Sequence, residues 1–160
     1  MNTPVADDVR EYVAAHSTLT LATVADKRPW ATSLFYASDS ELRLYFISDA
    51  NTRHVMQAMK NPEVAVTISE HDQQWQSIQG LQIEGKLAIV EDADRQRIET
   101  LYSRKFSFIE TLLQEKGDAE DHILLDRFLA SSFYAITPSF IRFIDNNKGF
   151  GFKQEFSVKL

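Results

Sequence analysis

Apolar and polar positions along this chain follow two periods in turn. "STLTLATV" (17–24) alternates and is rich in β-branched residues, which predicts a strand. "ADKRPW" supplies a turn, and "WATSLFYA" (30–37) predicts the second half of a hairpin. After the turn "SDSE" comes a third strand, "LRLYFIS" (42–48), and "EVAVTIS" (63–69) predicts a fourth. "IQGLQIEGKLAIVED" (78–92) is long for one strand, and its interior Gly80 and Gly85 predict bulges or sharp bends. "FYAITP" (133–138) and "FIRFID" (140–145) predict two closing strands before the tail "NNKGFGFKQEFSVKL".

The helical period governs the rest. Asp7 to Ala15 carries Val9, Tyr12 and Val13 on one side. A second helix starts at Asn51 or Thr52 and stops at Asn61-Pro62; Thr52, Met56 and Met59 are expected on its inward face. Asp94 to Phe106, Phe108 to Lys116 and Asp121 to Leu129 predict three more, with "KGDAED" breaking the last two. Strands joined by hairpins, with helices clustered late, favour a mainly antiparallel β-barrel with helical additions over alternating βαβ units. The length, 160 residues, predicts one domain over the whole chain, with a helical insertion at about 94–130.

Composition narrows the function more than the fold. Forty-four per cent hydrophobic and 25% charged residues exclude wholesale disorder. A net charge of −6 argues against nucleic acid, whose backbone needs a basic footprint. The absence of cysteine removes disulfides, thiolate metal sites and cysteine nucleophiles. The start "MNTPVADDVREYVAAH" lacks the basic and apolar segments of a signal peptide, and no apolar run approaches the roughly 20 residues that span a bilayer. A cytoplasmic protein with no membrane partner is therefore expected. The histidines at 16, 54, 71 and 122 show no H-x-x-x-H or H-E-x-x-H spacing, so no metal site is expected. There is no G-x-S-x-G, no phosphate-binding Walker loop and no Rossmann glycine pattern.

One local feature runs against the acidic background. The predicted second helix carries Arg53 and His54 in its first turn, where the partial positive charge of a helix N-terminus prefers acids. Free backbone N–H groups at that turn, with Thr52-Arg53-His54 around them, would suit a bound anion such as phosphate. The alternative is an Arg53 lying in solvent and a His54 packed or capping locally.

The order of elements and these residues resemble the FMN-binding split-barrel superfamily, the pyridoxamine-phosphate-oxidase-like proteins. There a strand–turn–helix segment S/T-R-K grips the flavin phosphate; Thr52, Arg53 and His54 stand at its positions, and "NPEVAV" resembles the N-P-x-V that follows. The resemblance is tighter to an uncharacterised bacterial subgroup, the YhbP-like proteins. Its motifs stand here as Thr52-Arg53-His54, then Ile78, Gly80, Gln82 and Gly85, then Asp145-Asn146, Gly149-Phe150-Gly151 and Lys153.

The resemblance implies a split barrel of about six antiparallel strands with flanking helices, forming a homodimer with the cofactor site at its interface. It implies FMN as cofactor and an oxidoreductase acting on a small molecule, with Thr52, Arg53 and His54 at the phosphate. Ile47, Ser48, Ser33, Leu34 and Phe35 would lie beside the ring, and Gln82 at its polar edge. Thr32 and Ala37 stand where the oxidases carry arginine and lysine, and the tail lacks their arginine-rich substrate motif. Two other readings remain open: a split barrel holding haem or a deazaflavin, and a non-catalytic dimeric interaction protein using the aromatic tail.

Overall fold

The alternation in the first strand run decides which way it faces. In β1 (Thr18–Ala25), Leu19, Leu21 and Thr23 are buried while Ala22 and Val24 lie outside. Asp26 and Lys27 then take φ values of 52° and 61°, the left-handed pair that a two-residue hairpin requires, and β2 (Arg28–Phe35) returns along β1. The computed structural model describes residues 7–109 and 119–158. Helix α1 (Asp7–Ala15) precedes the hairpin; β3 (Ala37–Ser38), β4 (Leu44–Ser48), α2 (Arg53–Lys60), β5 (Glu63–Ser69) and β6 (Gln79–Ile89) follow it. Helices α3 (Asp92–Lys105) and α4 (Ala119–Ala130) lead to β7 (Ser132–Asp145), a short 3-10 turn (Asn146–Lys148) and β8 (Lys153–Ser157).

The eight strands form one sheet ordered β2-β1-β5-β6-β7-β4-β3, with β8 added to the second half of β7. All pairings are antiparallel. The sheet curls until β2, at one end, lies against β4 near the other. That seam is the split in the barrel. Inside, Leu21, Phe46, Ile68, Leu81, Ile136 and Phe143 make the core, joined by Val9 and Val13 of α1 and by Val55 and Ala58 of α2. Each large apolar side chain withdrawn this way contributes roughly 1.5–3 kcal/mol. A second cluster, with Tyr45, Ile98, Tyr102, Phe106, Phe128 and Phe133, fills the space under α3 and α4. Strand β4 serves both: Leu44 and Phe46 face the barrel, Tyr45 and Ile47 the helical layer.

The mainly antiparallel barrel with flanking helices is the predicted architecture, with several corrections in its parts. The two closing strands are one, β7, running through Pro138. Proline is tolerated there because the register shifts between Glu84 and Gly85, and bulges are where a sheet admits it. A Cβ on Gly85 would sit 2.6 Å from the Thr137 carbonyl oxygen, so the bend predicted at this glycine is a close backbone approach. Gly80, also expected to bend the strand, keeps regular pairing with Ser69 and Ile144. The tail contributes β8, which its turn-rich composition conceals. Ala37, expected in the second strand, belongs to β3 because Tyr36 turns fully into the core and donates its hydroxyl to the Val13 carbonyl. The predicted helix 108–116 lies largely outside the described residues.

Helix α2 also presents a different face. Met56 and Met59, expected inward, are each 50% exposed, whereas His54, Val55, Gln57 and Ala58 are buried. A buried glutamine is affordable here because both ends of its amide are used. Thr23 Oγ1 donates to Gln57 Oε1 at 2.7 Å, and Gln57 Nε2 donates to the Arg28 carbonyl at 2.9 Å. Lys60 pairs with Asp26 at 3.1 Å and Asn61 Nδ2 reaches the Val24 carbonyl, so α2 is tied to the tip of the β1–β2 hairpin.

Candidate functional site

The seam is bounded by a free strand edge. The Tyr36 amide donates to the Ser17 carbonyl, so in this antiparallel pair the even-numbered residues of β2 turn their backbone groups toward β1. Ala31, Ser33 and Phe35 turn theirs toward the open side, and Pro29, which has no N–H, falls on the same parity. The Tyr102 hydroxyl donates to the Phe35 carbonyl at 3.2 Å, from that open side. The side chains of Ser33 and Phe35 are exposed, while Leu34 packs against the barrel core. Leu34 therefore presents neither its side chain nor its own backbone groups to the seam.

At one end of the seam stand the residues picked out around the second helix. Thr52 is the N-cap in extended conformation, but its side chain makes no capping bond. Its hydroxyl donates instead to the Asp49 carbonyl at 2.8 Å. The first-turn amides of α2 thus have no side-chain cap. Ser48 Oγ lies 3.1 Å from Thr52 Oγ1 and 2.9 Å from His54 Nε2, so three of the expected residues share one hydrogen-bonded cluster. His54 is buried, its ring tilted against Phe46 with centroids 6.0 Å apart. Burial holds the imidazole below its ordinary value, so it is neutral at pH 7. The two cations read at this helix start are therefore one.

Arg53 is that one. Its guanidinium lies 4.3 Å over the Trp30 ring, a cation–π contact that props it beside β2. It lines a depression of about 270 Å³ with Arg28, Gln57, Lys60 and Asp26. Three cations against a single carboxylate make this a locally positive region of an acidic chain. Neither Trp30 nor Arg28 was expected here. Only the hairpin register, which carries β2 past α2, brings them together, and no sequence motif reports it.

Next to the cluster of Ser48, Thr52 and His54, Phe35 and Ile47 line an apolar groove of about 390 Å³ with Tyr102, Ile109, Phe128 and Arg127. Gln82 does not join either group within one chain. It lies on the outer sheet face, in line with Ser33 through the pairings Ser33–Thr20, Thr20–Thr67 and Thr67–Gln82. Three strand spacings, roughly 14 Å, separate the two residues. Gln82 Oε1 accepts from Arg142 at 3.3 Å, and both residues border a depression of about 320 Å³ with Thr20, Ala22 and Ala65. Among the described residues no group of acidic or histidine side chains is arranged to hold a metal, and no helix is long and apolar enough to cross a membrane.

Comparison with known proteins follows the same lines. Residues 5–130 match the family described as pyridoxamine 5'-phosphate oxidase. A "UPF0306 protein" of Cronobacter sakazakii is 26% identical over 148 residues, covering 92% of this chain and 91% of that protein. Among solved structures, a haem-binding protein of Mycobacterium smegmatis superposes with a TM-score of 0.72 at 14% identity, over 99% of this chain and 60% of the other. An FAD-binding protein of Mesorhizobium loti does so with a TM-score of 0.63 at 18% identity, over 85% and 91%. At these identities the structural likeness establishes the split-barrel fold.

Proposed function

This chain belongs to the pyridoxamine 5'-phosphate oxidase family, and from that premise we propose that it binds FMN along the seam and acts as an oxidoreductase on a small molecule. The observation that carries the reading is the uncapped first turn of α2 with the Arg53 guanidinium beside it. A phosphate there meets free amide hydrogens, the positive end of the helix and a charge-assisted hydrogen bond. The residues present fit the group, although Thr32 and Ala37 leave Arg53 as the cation at the phosphate, with Arg28 and Lys60 bordering the same depression.

Thr52 and Ser48 would add hydroxyls, and His54 would hold the Ser48 hydroxyl in position. Backbone groups of Ser33 and Phe35 along the free edge of β2 would meet the ring, with Ile47 against its apolar flank. Gln82, distant within one chain, would serve the polar edge of a ring held by a second copy, which makes the protein a homodimer with a shared site. Bound flavin supplies hydride and single-electron chemistry; the protein binds, orients and shields it.

Purified protein should absorb near roughly 450 nm, or acquire that band on titration with FMN. Arg53→Ala should weaken FMN binding about tenfold, roughly 1.5 kcal/mol, the lower end for a hydrogen bond to a charge because the guanidinium is exposed. An unchanged dissociation constant removes Arg53 from the site. A second reading, haem, draws on the apolar groove beside Phe35 and Ile47 and on the haem-binding relative in fold. A Soret band in place of the flavin spectrum would decide for it.

A further inference from the structure

We infer that the groove between β2, the end of β4 and helices α3 and α4 binds a hydrophobic monocarboxylate, with Arg127 pairing its carboxylate. The inference rests on the flavin reading only in making this acid the substrate presented to the ring; the binding site itself stands on the groove. Its walls are apolar and partly open: Phe35 is 54% exposed and Leu124 47%, over a floor of buried Tyr102, Ile109 and Phe128. Its volume of about 390 Å³ falls within the range of roughly 300–1,000 Å³ typical of small-molecule sites. Phe35 and Ile47 belong to both the groove and the seam, so a molecule in one reaches the other.

Among the described residues lining the groove, Arg127 is the one that carries a charge. Arg43, Arg97 and Arg142 are each paired with a carboxylate, whereas the Arg127 guanidinium has no side-chain partner among the described residues. It lies in the last turn of α4, where open carbonyls would repel an anion. Here two of those carbonyls, of Arg127 and Phe128, are occupied, as is that of Ser131 just past the helix. Ser131 Oγ donates to the Arg127 carbonyl at 2.7 Å, the Ser131 amide to that of Phe128 at 3.2 Å, and Arg95 Nη1 to that of Ser131 at 3.2 Å. A single cation among the described residues of an apolar groove matches one negative charge on an apolar body. A phosphate dianion would leave surplus charge facing apolar walls, which is costly.

The test uses the full chain with 4-phenylbutyrate as probe and 4-phenylbutanamide as its uncharged counterpart. Binding is followed by calorimetry and by methyl NMR shifts of Ile47 and Leu124, with Ile83 in the barrel core as the remote control. The acid should bind at least tenfold more tightly than the amide and should move the two groove methyls. Arg127→Gln should lower the affinity for the acid to that for the amide and leave the amide and FMN unaffected. Equal affinities for acid and amide, indifference of the acid to Arg127→Gln, or shifts away from the groove would each overturn the inference. Arg53→Ala separates the two readings: it should impair FMN binding and leave acid binding intact. Acid binding that depends on Arg127 in a protein that never binds flavin would uphold the groove and end the flavin proposal instead.

Discussion

His54 shows how much a single position gains from its surroundings. As a residue type at the start of a helix it reads as a cation for a phosphate. In place, it is a buried neutral ring bonded to Ser48 and packed on Phe46. Its pKa is held below the ordinary 6.5 by burial, so NMR titration should give a midpoint under that value. Between the two values the unfolded chain binds more protons than the folded one. Stability contributed by the neutral ring is therefore present above pH 6.5 and lost as pH falls through the folded value. Urea unfolding at pH 7.5 and 5.0 should show that loss, and His54→Gln should diminish it. For the same reason FMN affinity should be flat between pH 7 and 8.5. A decline across that range would mean that the ring is charged and touches the phosphate. The candidate site at Thr52-Arg53-His54 was legible because its motif is local. The role of His54 was not, because Phe46 and Ser48 decide it from another element.

At the scale of elements, side-chain period located nearly every strand and failed where backbone geometry takes over. α1 and β5 match their predicted bounds. β7 did not, since Pro138 looks like a terminator until Gly85 is seen across from it, without a Cβ and at a register shift. That pairing gives a prediction: Gly85→Ala should cost about 1–3 kcal/mol, as overpacking does in a closed space. Gly80→Ala, whose Cβ would lie 3.4 Å from the Ile68 carbonyl, should cost less. Urea midpoints of the two variants compare them directly. The inward face of α2 was misread for a related reason. Hydrophobicity favoured Met56 and Met59, but the hydrogen bonds of Gln57 to Thr23 and Arg28 turn the helix the other way.

Across the whole molecule, the outer face of β1, β5 and β6 carries the argument for a second copy. Thr20, Ala22, Ala65 and Thr67 are small, face outward and border the depression that holds Gln82. Small residues on a sheet face let another surface approach closely. If this face forms the dimer, sedimentation should show two chains together, and Ala65→Arg should give a monomer that loses FMN. A monomeric variant that keeps full FMN affinity would mean that one chain suffices, with Gln82 outside the site. The aromatic tail points elsewhere: Phe150 is 84% exposed, and Trp75, 63% exposed, lies edge-on to it.

The sequence by itself determined the kind of elements, the antiparallel barrel and the position of the anion-suited helix start. Each of these rests on near neighbours in the chain, through the two-residue alternation of strands and the turn chemistry between them. Only the tertiary structure decided which strand edge stays open, that Arg53 stacks on Trp30, that Gln82 stands three strands from Ser33, and that Arg127 guards a groove with Phe35. Those relations join residues up to nearly a hundred positions apart, and the curling of the sheet with the helices packed on it is what sets their spacing.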